Sequence, residues 1–244
     1  MTGSSLETPF ANPLDEVRGH IAQTAKIAGR RASDVTLIAI SKTQPVEAIH
    51  PLLNQGQRHF GENRVQEAIA KWPELRASYP DLALHLVGQL QSNKAEEAVA
   101  LFDVIHSLDR PSLVGALAKA MDRLDRRVPC FVQVNIGDEP QKGGCPIAEL
   151  PALLAEARTA EISVAGLMCV PPVHRPALAG VETVDAEALA EPAPYFALLA
   201  KLARDHGLSG LSMGMSGDYE TAIMLGATHV RIGTAVFGAR QPAG

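Results

Sequence analysis

The sequence predicts an α/β fold, a single (β/α)8 TIM barrel with an extra N-terminal helix. The length of 244 residues suits one such barrel. Eight short apolar runs alternate with segments that have helical periodicity. Hydrophobic residues make up 46% of the chain and charged residues 20%, which supports a large core. An open doubly wound sheet is the alternative, but eight regular units in this length favour the closed barrel.

The first element is a helix over residues 12–30, where Leu14, Val17 and Ile21 recur at helical spacing and Pro13 falls in the first turn. Eight strand and helix units follow. Because helices cover the outside of a barrel and side chains fill its inside, we expect the strands to be apolar on both faces. The predicted strands are 35–41, 57–60, 82–87, 103–106, 129–135, 162–168, 209–213 and 228–232. The predicted helices are 45–55, 63–77, 92–101, 111–125, 147–159, 194–206, 217–226 and 234–238.

One domain, residues 12–244, accounts for all of these elements. Residues 1–11 have no apolar periodicity and are predicted to be a flexible tail. The segment 171–194 contains five prolines and separates the sixth strand from its helix, so we expect a mobile surface loop there.

Composition narrows the range of functions. A net charge of −5 gives no general electrostatic reason to expect a nucleic acid or an anionic membrane as partner. Cys130, Cys145 and Cys169 form neither a disulfide framework nor a zinc knuckle, and the histidines lack metal-ligand spacing, so we expect no metal site. The N-terminus does not resemble a signal peptide and no apolar run reaches the length of a membrane span, which predicts a cytoplasmic protein.

A lysine stands at the end of the first apolar strand, in the stretch TLIAISKTQP. Because side chains alternate along a strand, Lys42 shares a face with Ile38 and Ile40. Partial desolvation there favours the neutral amine, a nucleophile that forms a Schiff base with a carbonyl compound. The alternative is a solvated lysine without a chemical role.

The loops after the last two strands resemble phosphate-binding loops, which are frequent at this place in such barrels. Ser212 and Ser216 offer hydroxyl groups after strand 7. Gly233 and Thr234 begin a short helix after strand 8, and its backbone amides are suited to an anion. Ordinary helix capping beside a turn glycine is the alternative for each loop.

Arg231 connects these features. It shares a strand face with His229 and Gly233, and if strand 8 closes against strand 1 it lies at the same barrel end as Lys42. A lysine, a planar cationic donor and phosphate loops in one barrel mouth indicate a pyridoxal 5'-phosphate (PLP) site. The lysine would hold the aldehyde, the loops the phosphate, and the arginine would face the ring nitrogen. A permanent cation disfavours protonation of that nitrogen and weakens the cofactor as an electron sink.

Seven motifs resemble the pyridoxal phosphate homeostasis protein family, the YggS and PROSC type, in the expected order from about residue 14 to residue 240. The fold of that family is similar to the alanine racemase N-terminal barrel, the fold type III of PLP proteins. The motifs are SKT (41–43), FGENRVQE (60–67), HLVGQLQSNK (85–94), IHSLD (105–109), VQVN (132–135), GLMCVP (166–171) and LSMGMSGD through RIGTAVFGAR (211–240).

The resemblance implies a Schiff base on Lys42, a ring-nitrogen contact from Arg231, and phosphate contacts from Ser216, Gly233 and Thr234. Ser212 is a further candidate hydroxyl. Asn63 and His85 are expected to line the cofactor. For these last two an alternative stays open, because Asn63 suits a helix N-cap and His85 suits a hydrogen-bonded histidine of the barrel core.

Three functions compete. The first is a non-catalytic binder that holds PLP reversibly as a monomer, with a dimer as the alternative, and with PLP-dependent apoenzymes as candidate recipients. The second is a PLP-dependent amino-acid racemase, which needs an acid or base on each face of the substrate carbon, whereas Lys42 supplies only one. Related racemases use a tyrosine from a second domain, and Tyr79, Tyr195 and Tyr219 have no comparable context. The third is an isomerase of phosphorylated substrates, which has no special use for Lys42 beside Arg231.

Overall fold

The computed structural model describes residues 11–172 and 192–238. Nearly all of the predicted tail and most of the predicted loop at 171–194 lie outside the described residues. The strands are β1 (Thr36–Ile40), β2 (His59–Glu62), β3 (Ala83–Leu86), β4 (Val104–Leu108), β5 (Cys130–Gln133), β6 (Val164–Met168), β7 (Gly210–Ser212) and β8 (His229–Ile232). The helices are α1 (Pro13–Ile27), α2 (Val46–Asn54), α3 (Val65–Ser78), α4 (Ala95–Leu101), α5 (Pro111–Arg123), α6 (Leu150–Thr159), α7 (Ala193–Asp205), α8 (Tyr219–Met224) and α9 (Thr234–Phe237).

The eight strands form a closed barrel in chain order, with every neighbouring pair parallel. β8 pairs with β1, which places Ile38 opposite Arg231 and Ala39 opposite Ile232. The predicted (β/α)8 barrel is therefore confirmed. Because all strands point the same way, the segments that follow β1, β7 and β8 meet at one end of the barrel.

The extra N-terminal helix α1 is also present. The side chain of Asn12 accepts a hydrogen bond from the amide of Asp15 at 3.0 Å, and Pro13 occupies the first helical position, as predicted. The apolar face of α1 is buried, and the helix packs against α8 and α9. Among the helices of the described residues, none combines the length and the hydropathy that a membrane crossing requires.

The inside of the barrel differs from the expectation. The strands were expected to be apolar on both faces, and this is wrong for much of the inner face, where polar side chains lie beside apolar ones such as Ile38 and Phe131. The outward faces pack against the helices, as in the contact of Phe60 with Trp72 at 5.1 Å between ring centroids. The polar side chains inside hydrogen-bond to one another, which offsets the cost of removing them from water. They are His59, His85, His106, Ser212 and Arg231. The ring of His229 packs against the rings of His85, His106 and Phe131 in the same interior.

Burial keeps the interior histidines neutral. It lowers the pKa of His85 and His106 well below the ordinary value, with further lowering from neighbouring histidines. It also lowers the pKa of His59, and it lowers that of His229 to about 4. In the unfolded chain each histidine titrates near pH 6.5.

We therefore expect the protein to lose stability in mild acid. The stabilisation from a depressed histidine pKa is fully present above the unfolded pKa and is lost as the pH falls toward the folded pKa. Between pH 7.5 and pH 5, His229 alone lowers the free energy of unfolding by about 2 kcal/mol. Denaturant unfolding at the two pH values measures this loss. Between the same two pH values, the free energy of unfolding should fall less in a H229Q variant than in the parent protein. Equal decreases would show that His229 is not a source of this pH dependence.

Candidate functional site

A cavity of about 480 Å³ opens at the C-terminal ends of the strands. This volume lies within the range of roughly 300–1,000 Å³ that is typical of ligand sites. Ile40, Val87 and Val170 contribute apolar walls. The lining also contains six of the predicted site residues, which are Lys42, Asn63, Ser216, Arg231, Gly233 and Thr234.

A second hollow, of about 430 Å³, lies at the N-terminal end of the barrel beside α6 and α7. It is lined by side chains such as Leu154, Arg158, Ile162 and His206, and by no predicted site residue. The cavity at the C-terminal end is therefore the candidate site, since it alone of the two joins a lysine with the phosphate-type loops.

The backbone on both sides of Lys42 is held by hydrogen bonds. The amide of Thr43, which follows it, donates to Glu67 Oε1 at 2.5 Å, and the carbonyl of Ser41, which precedes it, accepts from Lys71 Nζ at 2.8 Å. Thr43 has a φ of 61°, an unfavourable value for a β-branched residue. These contacts fix the turn that presents Lys42 to the cavity.

The anchor of this turn is a buried carboxylate. Glu62 is 0% exposed, and its Oε1 accepts hydrogen bonds from Ser41 Oγ at 2.8 Å, Lys71 Nζ at 2.9 Å and Trp72 Nε1 at 3.0 Å. Lys71 also pairs with Glu67 at 3.1 Å. We call Glu62, Glu67, Lys71 and Trp72 the Glu62 cluster. It ties α3 to the end of β1 on the outer face of the barrel.

Sequence reasoning missed this cluster. Glu62 and Glu67 occur in a motif that carried the family resemblance, yet no physical role was assigned to them. The alternation of side chains along β2 does, however, indicate where Glu62 lies. Alternation from Gly61 and Asn63, which face inward, places Glu62 on the helix-covered face, where a carboxylate needs a cationic partner. Lys71, on the following helix, is that partner.

Arg231 is buried at the base of the cavity, with 5% exposure. One terminal nitrogen donates to Ser212 Oγ at 2.9 Å, and the other donates to the carbonyl of Cys169 at 2.8 Å. Burial lowers the pKa of Arg231, and the nearby Asp218 carboxylate acts in the opposite direction. A guanidinium group stays charged in proteins, so the site holds a permanent and rigidly directed cation.

The loop after β7 and the loop after β8 are joined by hydrogen bonds to the hydroxyl oxygen of Ser216. Ser216 Oγ accepts hydrogen bonds from the amides of Gly233 at 3.3 Å and Ala235 at 3.4 Å. Both distances are at the long end of the range for amide donors. The amide groups at the start of α9 and the Ser216 hydroxyl thus form a polar corner of the cavity.

Gly214 lets the β7 loop take this shape. Its φ is +93°, in the region that only glycine occupies at low cost. A Cβ atom there would lie 2.6 Å from the Cβ of Ala222 on α8. The glycine therefore allows close packing of the loop against the helix that follows it.

The structure places Asn63 in the cavity lining, whereas it places His85 and Ser212 inside the barrel. Asn63 lines the cavity and is not a helix N-cap, because Arg64 takes that position in α3. His85 and Ser212 are buried in the barrel interior and are not part of the cavity lining. Both ring nitrogens of His85 are hydrogen-bonded to other histidines, which agrees with the alternative of a core histidine.

The three cysteines are buried free thiols, and burial raises the pKa of each to about 12. Such thiols are unreactive at neutral pH. Within residues 11–172 and 192–238, no group of three histidine, cysteine or acidic side chains is arranged to hold a metal ion.

Comparison with known proteins identifies the class. The family model of the alanine racemase N-terminal domain matches residues 14–241. An alanine racemase from Clostridium difficile is 14% identical with a TM-score of 0.63, covering 93% of this chain and 57% of the racemase, which shows a shared fold. The chain is an alanine racemase-type barrel.

Closer relatives identify the family. A pyridoxal phosphate homeostasis protein of Pseudomonas aeruginosa is 41% identical over 239 residues, which cover 95% of this chain and 96% of the relative. The structure of PipY from Synechococcus elongatus PCC7942 with PLP bound is 38% identical with a TM-score of 0.73, and covers 89% of this chain and all of PipY. The chain belongs to the pyridoxal phosphate homeostasis protein family, and the resemblance seen in the sequence is confirmed.

Proposed function

We propose that this protein binds PLP in the cavity at the C-terminal end of the barrel and serves PLP homeostasis without robust catalytic activity. The observation that carries this proposal is that Lys42, Arg231 and the two phosphate-type loops line one cavity. The names of the relatives and the PLP in PipY support it. We propose that a monomer binds the cofactor, with a dimer as the alternative.

The residues of the cavity fit the parts of the cofactor. The amides of Gly233 and Ala235 already point at one oxygen, Ser216 Oγ, through long hydrogen bonds. A phosphate oxygen is a stronger acceptor and is suited to the same corner. The walls formed by Ile40, Val87 and Val170 suit an aromatic ring.

When bound, the cofactor supplies an aldehyde that condenses with a primary amine, forming a carbon–nitrogen double bond and releasing water. Lys42 provides the amine from a turn that the Glu62 cluster holds in place. Ser216, Gly233 and Thr234 would hold the phosphate, and Asn63, which directly follows β2, would lie beside the ring.

Arg231, at the base of the cavity, would face the ring nitrogen of the bound cofactor. Because a guanidinium group has no acceptor and keeps its charge, such a contact would favour the unprotonated form of that nitrogen. This disfavours the electron withdrawal on which amino-acid chemistry depends. The cation therefore supports storage of the cofactor over catalysis.

The proposal excludes an efficient racemase. Incubation of the PLP-loaded protein with common amino acids in deuterium oxide measures exchange of the α-proton. We expect no exchange at the rates of ordinary enzymes, and exchange at about 1 per second or faster would contradict the non-catalytic function.

Delivery to other proteins is the second part of the proposed role, with PLP-dependent apoenzymes as recipients. The rate at which an apoenzyme gains activity from the loaded protein is compared with the rate of spontaneous PLP release. A faster gain supports direct transfer, and equal rates restrict the function to buffering.

We expect R231Q to weaken PLP retention by roughly 10- to 100-fold, since a hydrogen bond from a charged group is worth about 1.5–3 kcal/mol. The absorbance maximum of the bound cofactor should shift as well, because the ring nitrogen loses its cationic neighbour. Equilibrium dialysis and absorbance spectra measure the two effects. R231K is the matched variant, which keeps the charge but loses the planar fork. An unchanged spectrum and affinity in R231Q would show that Arg231 does not contact the cofactor.

A further inference from the structure

Arg231 is the end of a hydrogen-bonded chain that runs through the inside of the barrel. Its guanidinium group donates to Ser212 Oγ at 2.9 Å, and Ser212 Oγ lies 2.8 Å from His106 Nδ1. His106 Nε2 lies 2.9 Å from His85 Nδ1, and His85 Nε2 lies 3.0 Å from His59 Nδ1. Side chains from β8, β7, β4, β3 and β2 thus form one chain. We call it the histidine chain.

The direction of every hydrogen bond in this chain follows from Arg231. A guanidinium group only donates, so Ser212 Oγ accepts a hydrogen bond from it, and the Ser212 hydroxyl donates its own hydrogen bond to His106 Nδ1. His106 then carries its proton on Nε2 and donates to His85 Nδ1, and His85 in turn donates from Nε2 to His59. The assignment requires neutral rings, and burial lowers the pKa of His85 and His106 well below the ordinary value.

If the hydrogen bonds of the histidine chain ran in the opposite direction, the Ser212 hydroxyl would have no acceptor. If His106 donated to Ser212, the serine hydroxyl would receive two hydrogen bonds and its proton would point to no acceptor among its contacts, which are Arg231 and His106. A buried donor without a partner costs about 1–3 kcal/mol. Ser212 is 0% exposed, so water does not replace the missing acceptor.

We propose that His106 is a positioning residue for Arg231. Because His106 accepts the hydrogen bond of the Ser212 hydroxyl, the hydroxyl oxygen is oriented to accept from the guanidinium group, and this fixes the plane in which Arg231 faces the cavity. The proposal rests on the proposed function of that cavity. It gives the buried histidines a role that reaches the site through Arg231, without contact with the cofactor.

A packing role is the competing explanation. The ring of His106 stacks on Phe131 with 4.5 Å between centroids and 13° between planes. His106→Phe keeps a planar ring in this stack and removes both ring nitrogens. His106→Asn places an amide near the position of Nδ1 and keeps an acceptor for Ser212. Phe131→Leu disturbs the stack and leaves the hydrogen bonds of the chain in place.

The experiment measures the absorbance maximum and the dissociation constant of bound PLP in the full-length variants, together with denaturant unfolding. We expect His106→Phe to shift the absorbance in the same direction as R231Q and to weaken binding about tenfold. In His106→Asn, the absorbance maximum and the dissociation constant should lie close to those of the parent protein. Phe131→Leu should change the free energy of unfolding without a spectral shift. Adding R231Q to His106→Phe should give little further shift, since the two changes act on one interaction.

Two results would overturn the inference. One is a His106→Phe spectrum and affinity equal to those of the parent, and the other is an equal spectral shift in Phe131→Leu. If His106→Phe does not fold, Ser212→Ala tests the same link, because it removes the side-chain acceptor of Arg231 and leaves the Cys169 carbonyl in place. An unshifted spectrum then contradicts the proposal. Failure of the parent protein to bind PLP is a different outcome, since it refutes the proposed function itself.

Discussion

The K42A variant is expected to lose covalent binding of PLP completely. Without the Lys42 amine no carbon–nitrogen bond to the aldehyde forms in the cavity, and only the phosphate and ring contacts remain. We expect the absorbance of the lysine-linked cofactor to disappear and the affinity to fall by at least about 100-fold, in line with the loss of about 3 kcal/mol or more. Absorbance titration with PLP measures both effects.

Two controls accompany this variant. K42R keeps a cation at the end of β1 but lacks a primary amine, and it should behave like K42A. K119A removes an exposed lysine from α5 and should bind PLP like the parent protein. Retention of the lysine-linked absorbance in K42A would show that another lysine forms the bond.

Of all the substitutions proposed, K71M is expected to lower the free energy of unfolding the most. Lys71 Nζ is the cationic partner of Glu62, a carboxylate with 0% exposure, and the lysine side chain itself is 9% exposed. Removal of one partner from a buried ion pair leaves an uncompensated charge and costs about 3–5 kcal/mol. Denaturant unfolding at pH 7.5 should show this decrease. Because Lys71 also binds the carbonyl of Ser41, the turn at Lys42 loosens and PLP binding weakens too.

A double-mutant cycle separates the interaction between Glu62 and Lys71 from the other effects of each substitution on the free energy of unfolding. The E62Q/K71M protein should be more stable than K71M alone, since the buried charge is gone. Lys201 and Asp205 form a matched but exposed pair at 2.6 Å, and K201M should change the free energy of unfolding by less than about 1 kcal/mol. Equal effects of K71M and K201M would contradict a structural role for the Glu62 cluster.

The barrel and its mouth were predictable from the pattern of apolar residues along the chain. Short apolar runs located the strands and helical periodicity located the helices. The order of strands in a parallel barrel then brought Lys42, Gly233 and Arg231 to one end. Confirmation of the family agrees with this derivation. The roles of the individual residues remain proposals that the variants above test.

The barrel interior could not be predicted by the same reasoning. The expectation of apolar strands ignores the fact that inward side chains of neighbouring strands meet and satisfy one another. His85 and His106 are 21 residues apart in sequence, and their hydrogen bond depends on the register of β3 and β4. The Glu62 cluster also depends on contact between a strand and a helix. Alternation along β2 predicts the face on which Glu62 lies, but the partner on the helix is identified only by the packing of α3 on the barrel.

The central claim is that Lys42 holds PLP in the barrel mouth. The most direct test is borohydride reduction of the PLP-loaded protein, which converts the labile carbon–nitrogen double bond to a stable single bond, followed by peptide mass spectrometry. The account predicts one phosphopyridoxyl group per chain, on Lys42. Modification of a different lysine at this stoichiometry, or no modification, would contradict it.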